Sequence, residues 1–309
     1  MEKVFAVGRI IAPIFLAVMM GLLARKKNLL KPEEVKGLQQ FAVKFGLPCV
    51  VFNACLTAQI NSSALASMML GAAPVAVAAV WAFRARQGRW QYHNLPQLFA
   101  AHETGMLGIP LTITLFGAAE SYRMGVLDLA QAVVAFPVIA ILTSNTGKAP
   151  GLGAIVKSVL TSPLMIMSAL GLALNFSGAA AWMNEVGFGP VITEATGFLA
   201  QPVSALMLFS VGYNFSMDSR FRRDILEICG VFLGWFTVTG LIAQGILCLI
   251  PGVDSVTRWV LLLYALLPGS YLAPGLGRSE ADAALASGVC SVLTVVTLLA
   301  FCVMSAIIA

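Results

Sequence analysis

Long apolar stretches, separated by short polar or charged breaks, run the length of the chain. No Asp, Glu, Lys or Arg falls within 10–24, 45–83, 129–147, 158–184, 195–216, 228–253, 259–277 or 283–309. Crossing a hydrocarbon layer of about 30 Å takes about 20 helical residues at about 1.5 Å each, and most of these runs reach that length. The runs and their breaks predict helical spans near 8–24, 38–58, 64–83, 95–117, 124–144, 160–177, 193–213, 228–250, 257–277 and 283–308. Glu103 interrupts the fourth span and Asp128 the fifth. The uncharged stretch 158–184 counts as one span, because Asn175, Ser177 and Gly178 mark its end.

Composition fits this pattern. Of 309 residues, 59% are hydrophobic and 11% charged, against about 25% charged in an ordinary soluble domain. Ten helices of about 20 residues leave about a hundred for connections and ends, with no room for a soluble catalytic domain. The net charge of +5 resides in short basic clusters beside apolar runs, without aromatic interleaving, so nucleic acid is not an expected partner. The six cysteines lie in or beside apolar segments with no CxxC pair and no histidine at ligand spacing. They read as small buried hydrophobes, with no metal site expected. Ile10–Leu23 has the apolar character of a signal peptide, but Arg25-Lys26-Lys27 follows it instead of a small-residue cleavage site, so it is expected to stay as the first span. No Walker A, GxSxG, HExxH or GxGxxG pattern occurs in context; Gly151-Leu-Gly153 lacks the third glycine. Neither an enzyme nor a bound cofactor is expected.

Basic residues test the span map independently, because orientation follows Lys and Arg in short loops. Loops one, three, five, seven and nine hold Arg25, Lys26, Lys27, Lys31, Lys36, Arg84, Arg86, Arg89, Lys148, Lys157, Arg220, Arg222, Arg223 and Arg278. The even loops and both ends hold only Lys3, Arg9, Arg123 and Arg258. Odd loops are therefore expected in the cytoplasm and both termini on the non-cytoplasmic side.

Ten spans divide into five and five, and an odd-numbered half must enter the second copy upside down. Span two contains Phe45-Gly-Leu-Pro48 and span seven Leu199-Ala-Gln-Pro202, each with a proline near its middle. Span four contains Gly105-Met-Leu-Gly108-Ile-Pro110 and span nine Leu267-Pro268-Gly269-Ser270-Tyr271-Leu-Ala-Pro274. Proline removes a helical hydrogen bond, so spans four and nine are expected to break within the bilayer. The fold class predicted is an all-α membrane protein of two inverted five-helix repeats, 1–148 and 149–309, with spans four and nine crossing as broken helices. Such paired interruptions point to a secondary-transporter site near the midplane.

Glu103 lies about 12 Å along a crossing that starts near Leu95, too deep for its side chain to reach bulk water. It must be protonated, paired or in a wet cavity, either as a proton carrier or as a carboxyl bonded to a neighbouring helix. His102 is a second proton-coupling candidate, though about 100° away if the segment is helical. Thr104 can bond the carbonyl a turn back. In span nine, Gly269 allows backbone approach, Ser270 and Tyr271 offer hydroxyls, and exposed backbone donors suit an anion. Lys44, Asn53, Asp128, Gln131, Gln201 and Gln244 are less telling: Lys44 can snorkel, Asp128 lies in the first turns of its span within reach of interfacial water, and Asn53 has either face open to it.

The chain resembles the auxin efflux carrier family, whose bacterial branch includes malate and malonate permeases. The resemblance rests on Pro13-Ile-Phe-Leu, Gly21-Leu-Leu-Ala, the turn ending Lys31-Pro-Glu-Glu-Val-Lys-Gly-Leu38, Phe45-Gly-Leu-Pro48, Thr104-Gly105 with Gly108-Ile-Pro110, and Leu267-Pro268 to Pro274 followed by Gly275-Leu-Gly-Arg-Ser-Glu-Ala-Asp282. It implies a scaffold of helices 1, 2, 6 and 7, which forms a homodimer contact, and a moving transport domain of helices 3–5 and 8–10. It also implies organic-anion substrates such as carboxylates, bound beside the crossing. Family members commonly carry asparagine seven residues before the fourth-span proline, where this chain has Glu103; an ionised acid there would repel a carboxylate.

The reading is an inner-membrane, multi-pass secondary transporter of a small organic acid, working by alternating access in a lipid bilayer. Its site comprises Glu103, Thr104, Gly108, Pro110, Gly269, Ser270, Tyr271 and Pro274, with a proton or sodium as coupling ion. The alternatives are a sodium-coupled symporter of the related bile-acid type, an intramembrane hydrolase using Ser270 with His102, and a sensor or structural membrane protein.

Overall fold

Helices form in every apolar interval of the computed structural model, which describes residues 2–56, 58, 62–143, 161, 163–216 and 218–308. In the first half these are α1 (Glu2–Lys26), α2 (Pro32–Phe41), α3 (Leu47–Leu56), α4 (Ser62–Ala85), α5 (Leu95–Ala100), α6 (Ile109–Phe116) and α7 (Ser121–Thr143). In the second they are α8 (Pro163–Phe176), α9 (Ala179–Glu185), α10 (Phe188–Ala200), α11 (Val203–Asn214), α12 (Arg222–Leu249), α13 (Ser255–Ala265) and α14 (Glu280–Ile308). The expected boundary at 148/149, with Lys148, Lys157 and Gly151-Leu-Gly153, lies outside the described residues.

Among the described residues, five stretches are long and apolar enough to cross a membrane: Ala64–Ala85, Ala118–Thr143, Phe188–Asn214, Ser219–Leu249 and Glu280–Ile308. A sixth follows if α8 and α9, bent by 75°, are one span. Gly178 makes that bend with a left-handed φ of 74°, which a residue with a Cβ adopts at a cost. The other expected spans hold α1 or shorter, interrupted helices, so fewer than ten intervals pass the test of length and apolarity. Large apolar side chains such as Leu16, Met69, Val133, Phe198, Leu249 and Leu299 lie exposed along these helices, a surface suited to lipid.

Prolines break the helices less often than their chemistry suggests. Pro48 follows the wide turn Ala42–Gly46, and Pro110 follows the wide turn Thr104–Gly108, each by two residues. A wide turn with i→i+5 bonding shifts the carbonyl that a proline ring would otherwise strike, so the helix continues through both prolines.

Small residues set the closest contacts between helices. A Cβ on Gly21 would overlap the Phe209 carbonyl oxygen and one on Gly212 the Val18 carbonyl, so α1 and α11 touch backbone to backbone. Gly171 of α8 lies against α3 in the same way, 2.8 Å from the Phe52 carbonyl oxygen to the position of an added Cβ. Two further pairs, α4 with α7 and α12 with α14, are also in contact.

Connections with like parity in the span map meet each other. Arg25 donates to the Tyr213 and Phe215 carbonyls at 3.2 and 2.7 Å, and Arg89 pairs with Glu227 at 2.6 Å. Tyr92 donates to Asp224 at 2.5 Å; burial, and then this bond, push its phenol well above the usual range. At the opposite end Arg123 pairs with Asp254 at 2.8 Å, and Asn175 donates to the Cys55 and Ala58 carbonyls at 3.0 and 2.9 Å.

Candidate functional site

Two helices are interrupted where they cross. After α5 the chain is extended at Ala101–Glu103, then re-enters a helix at Thr104. After α13 it stays irregular until the short 3-10 turn Ala273–Leu276. The interruptions run antiparallel and satisfy each other: Glu103 N–H donates to the Pro268 carbonyl at 2.8 Å and Ser270 N–H to the Ala101 carbonyl at 2.9 Å. His102 and Gly269 form an isolated β-bridge between them. A Cβ on Gly269 would overlap the Leu98 carbonyl oxygen, so glycine lets the two backbones meet. The first break lies upstream of the Gly105–Pro110 motif, because Pro110 is absorbed into a continuous helix.

Glu103 joins the two broken helices. Its Oε2 accepts the Tyr271 N–H at 2.7 Å and its Oε1 the Met106 N–H at 3.1 Å, in the first turn of its own helix. Negative charge is favoured at that end of a helix. The expectation that the broken stretch of span nine leaves its backbone donors free for a solute is thus corrected at Tyr271.

His102 has a different setting from the helical one expected. Its Nδ1 donates to the Leu267 carbonyl at 3.1 Å, while its ring packs edge-on against Phe232, Phe236 and Tyr264. The residue is buried and its Nε2 has no partner. No hydrogen bond links it to Ser270, whose Oγ accepts the Leu272 N–H at 3.3 Å.

Thr104 does not bond a carbonyl a turn back; its hydroxyl donates to Asp128. Asp128 therefore turns inward, away from the interfacial water expected for it. Gln131 completes the network: its amide nitrogen donates to Asp128 at 3.0 Å and to the His102 carbonyl at 3.0 Å, and its oxygen accepts His102 N–H at 2.8 Å and the Tyr264 hydroxyl at 3.0 Å. Gly108 lies against Leu267 and Met124, and the Pro110 carbonyl accepts the Thr114 hydroxyl at 2.8 Å. Asn53 faces α10, accepting the Thr196 hydroxyl at 2.6 Å. Lys44 and Gln201 are exposed, and Gln244 donates to the Arg258 carbonyl at 2.7 Å.

A cavity of about 710 Å³ reaches the crossing from the side of the first connection. Arg25 and Lys31 line it at an exposed end, and Asn214, Ser291, Thr294 and Tyr271 line it further on. Of the expected site residues only Tyr271 and Pro274 border it; Glu103, Thr104, Gly108, Pro110, Gly269 and Ser270 lie in or behind its wall. Tyr271 hydroxyl and Thr294 Oγ1 are 2.5 Å apart. Its described lining carries two basic residues and no acidic one. Ser287, Ser291 and Thr294 were not anticipated, although their i, i+4, i+7 spacing within an apolar run marks one polar face of α14.

The described residues form a helical bundle with two interrupted helices crossing beside a polar cavity, and residues 7–149 match the family model described as Membrane transport protein. No curated protein matches the chain. The match covers less than half of the chain and is in line with the resemblance to the auxin efflux carriers seen in the sequence motifs.

Proposed function

We propose that the chain is a secondary active transporter that moves a small organic acid anion, such as a carboxylate, across the inner membrane by alternating access. The observation that carries this reading is the cavity, whose lining is basic and hydroxylated without an acid, and which ends on Tyr271 and Pro274 of the crossing. In this reading the basic odd connections face the cytoplasm, both termini lie on the other side, and the cavity belongs to an inward-open state. Ten spans form two inverted five-helix repeats. Exchanging the repeats would turn the α1–α11 contact into the α8–α3 contact and the α4–α7 contact into the α12–α14 contact, and the presence of all four supports this reading. Helices of spans one, two, six and seven act as scaffold and dimer contact, the rest as transport domain.

Glu103 couples the cycle to protons. It has no cationic partner among the described residues, it bridges the two broken helices, and it stands one peptide behind the cavity wall at Tyr271. A proton arriving there alters the bond between the halves of the crossing. In proteoliposomes, Glu103→Gln is expected to retain carboxylate exchange and lose acceleration by a pH gradient. Acceleration equal to the wild type would remove Glu103 as the carrier, and dependence on external sodium would favour sodium symport.

A further inference from the structure

The crossing holds a carboxyl group already. Tyr271 N–H, at the interruption after α13, and Met106 N–H, in the first turn of the Thr104–Phe116 helix, converge on the two oxygens of Glu103 at 2.7 and 3.1 Å. Two other crossing donors, Glu103 N–H and Ser270 N–H, are taken by the Pro268 and Ala101 carbonyls. A solute anion approaching along the cavity meets these donors engaged and a fixed carboxylate behind Tyr271. Like charges at short range in a poorly solvated site repel strongly.

The opposite end of the same cavity is basic. Arg25 uses its Nη1 on the Tyr213 and Phe215 carbonyls, and among the described residues nothing bonds its Nε and Nη2, in a fork held in place at the end of α11. Lys31 lies across from it on the lining, and neither side chain forms an ion pair with any described carboxylate. Glu34 accepts the Lys31 backbone N–H at 2.7 Å, and neither it nor Glu33 is part of the lining. Hydroxyls at Ser291, Thr294 and Tyr271 line the path inward from these cations.

We infer that Glu103 is a tethered internal anion occupying the crossing in place of the solute, and that the solute's carboxylate docks on Arg25 and Lys31 with a neutral, hydrogen-bonding end toward Tyr271 and Thr294. This rests on the organic-anion reading above and reverses the orientation expected when the crossing itself holds the charge. It selects acids whose far end bears a hydroxyl or carbonyl over acids with a second charge there.

Two measurements on the purified full-length protein test it. Glu103→Ala vacates the crossing donors; formate, the smallest free carboxylate, is then expected to raise the melting temperature of the variant but not of the wild type, with chloride as control. An equal formate response in both proteins overturns the internal-anion assignment. Calorimetric titration with lactate, a hydroxy acid with one carboxylate, is expected to weaken about tenfold in Lys31→Gln and in Arg25→Lys, the latter keeping a cation on α1 if full removal unfolds the contact with α11. Lactate affinity within about twofold of the wild type in both variants overturns the docking assignment. If the wild type binds neither lactate, malate nor benzoate, the organic-anion reading fails, and the docking assignment fails with it, whereas the formate result stands apart.

Discussion

At the level of single residues, depth was readable and setting was not. Counting along the fourth span puts Glu103 far from either water layer, and it does sit within the bundle, at the crossing. The expectation for His102 assumed a regular helix and an offset of about 100°. The backbone at 101–103 is extended instead, which sends His102 into a cage of Phe232, Phe236 and Tyr264, with Leu267 as its hydrogen-bond acceptor. A buried ring with one good bond is a fixture of the crossing. His102→Ala is expected to remove that bond and leave a void, destabilising the protein by about 2–4 kcal/mol. Thermal melts in detergent measure this; an unchanged melting temperature with lost proton dependence of transport would instead make His102 the carrier.

Between residues and the whole, the helices were legible because charge-free runs of lipid-crossing length leave few alternatives, but the interruptions were harder to read. Proline suggests a break, yet Pro48 and Pro110 follow wide turns that accommodate the ring. The break in the fourth span occurs at Ala101–Glu103, which contain neither proline nor glycine. It is held open by a partner 165 residues further along the chain for the His102–Leu267 pair, a distance that no local pattern encodes. The cavity was missed for the same reason, as its cations come from the end of α1 and the start of α2 while its hydroxyls come from α14. The α1–α11 contact depends on backbone proximity. Gly212→Ala would overlap the Val18 carbonyl and is expected to cost about 1–3 kcal/mol. Gly245→Ala, in an open part of α12, is expected to be neutral or stabilising by up to about 1 kcal/mol. Equal melting temperatures for the two variants would mean that the close approach of α1 and α11 contributes little to stability.

For the molecule as a whole, the alternation of basic loops predicted two sides; Arg25, Arg89 and Tyr92 reach partners in the odd-numbered connection 214–227, and Arg123 reaches Asp254 in an even-numbered one. The position of the solute between these sides follows from the cavity and the crossing together. Its wall carries cations outward and hydroxyls inward, which is why we propose an anionic solute approaching from the side of the first connection. The most direct test is solute counterflow: purified protein in liposomes preloaded with unlabelled lactate or malate, with tracer of the same acid outside. Transient accumulation of tracer above the level in protein-free liposomes, weakened in Lys31→Gln, is the predicted result. Tracer that never exceeds the protein-free level for any carboxylate, with the protein folded and inserted, would contradict the account.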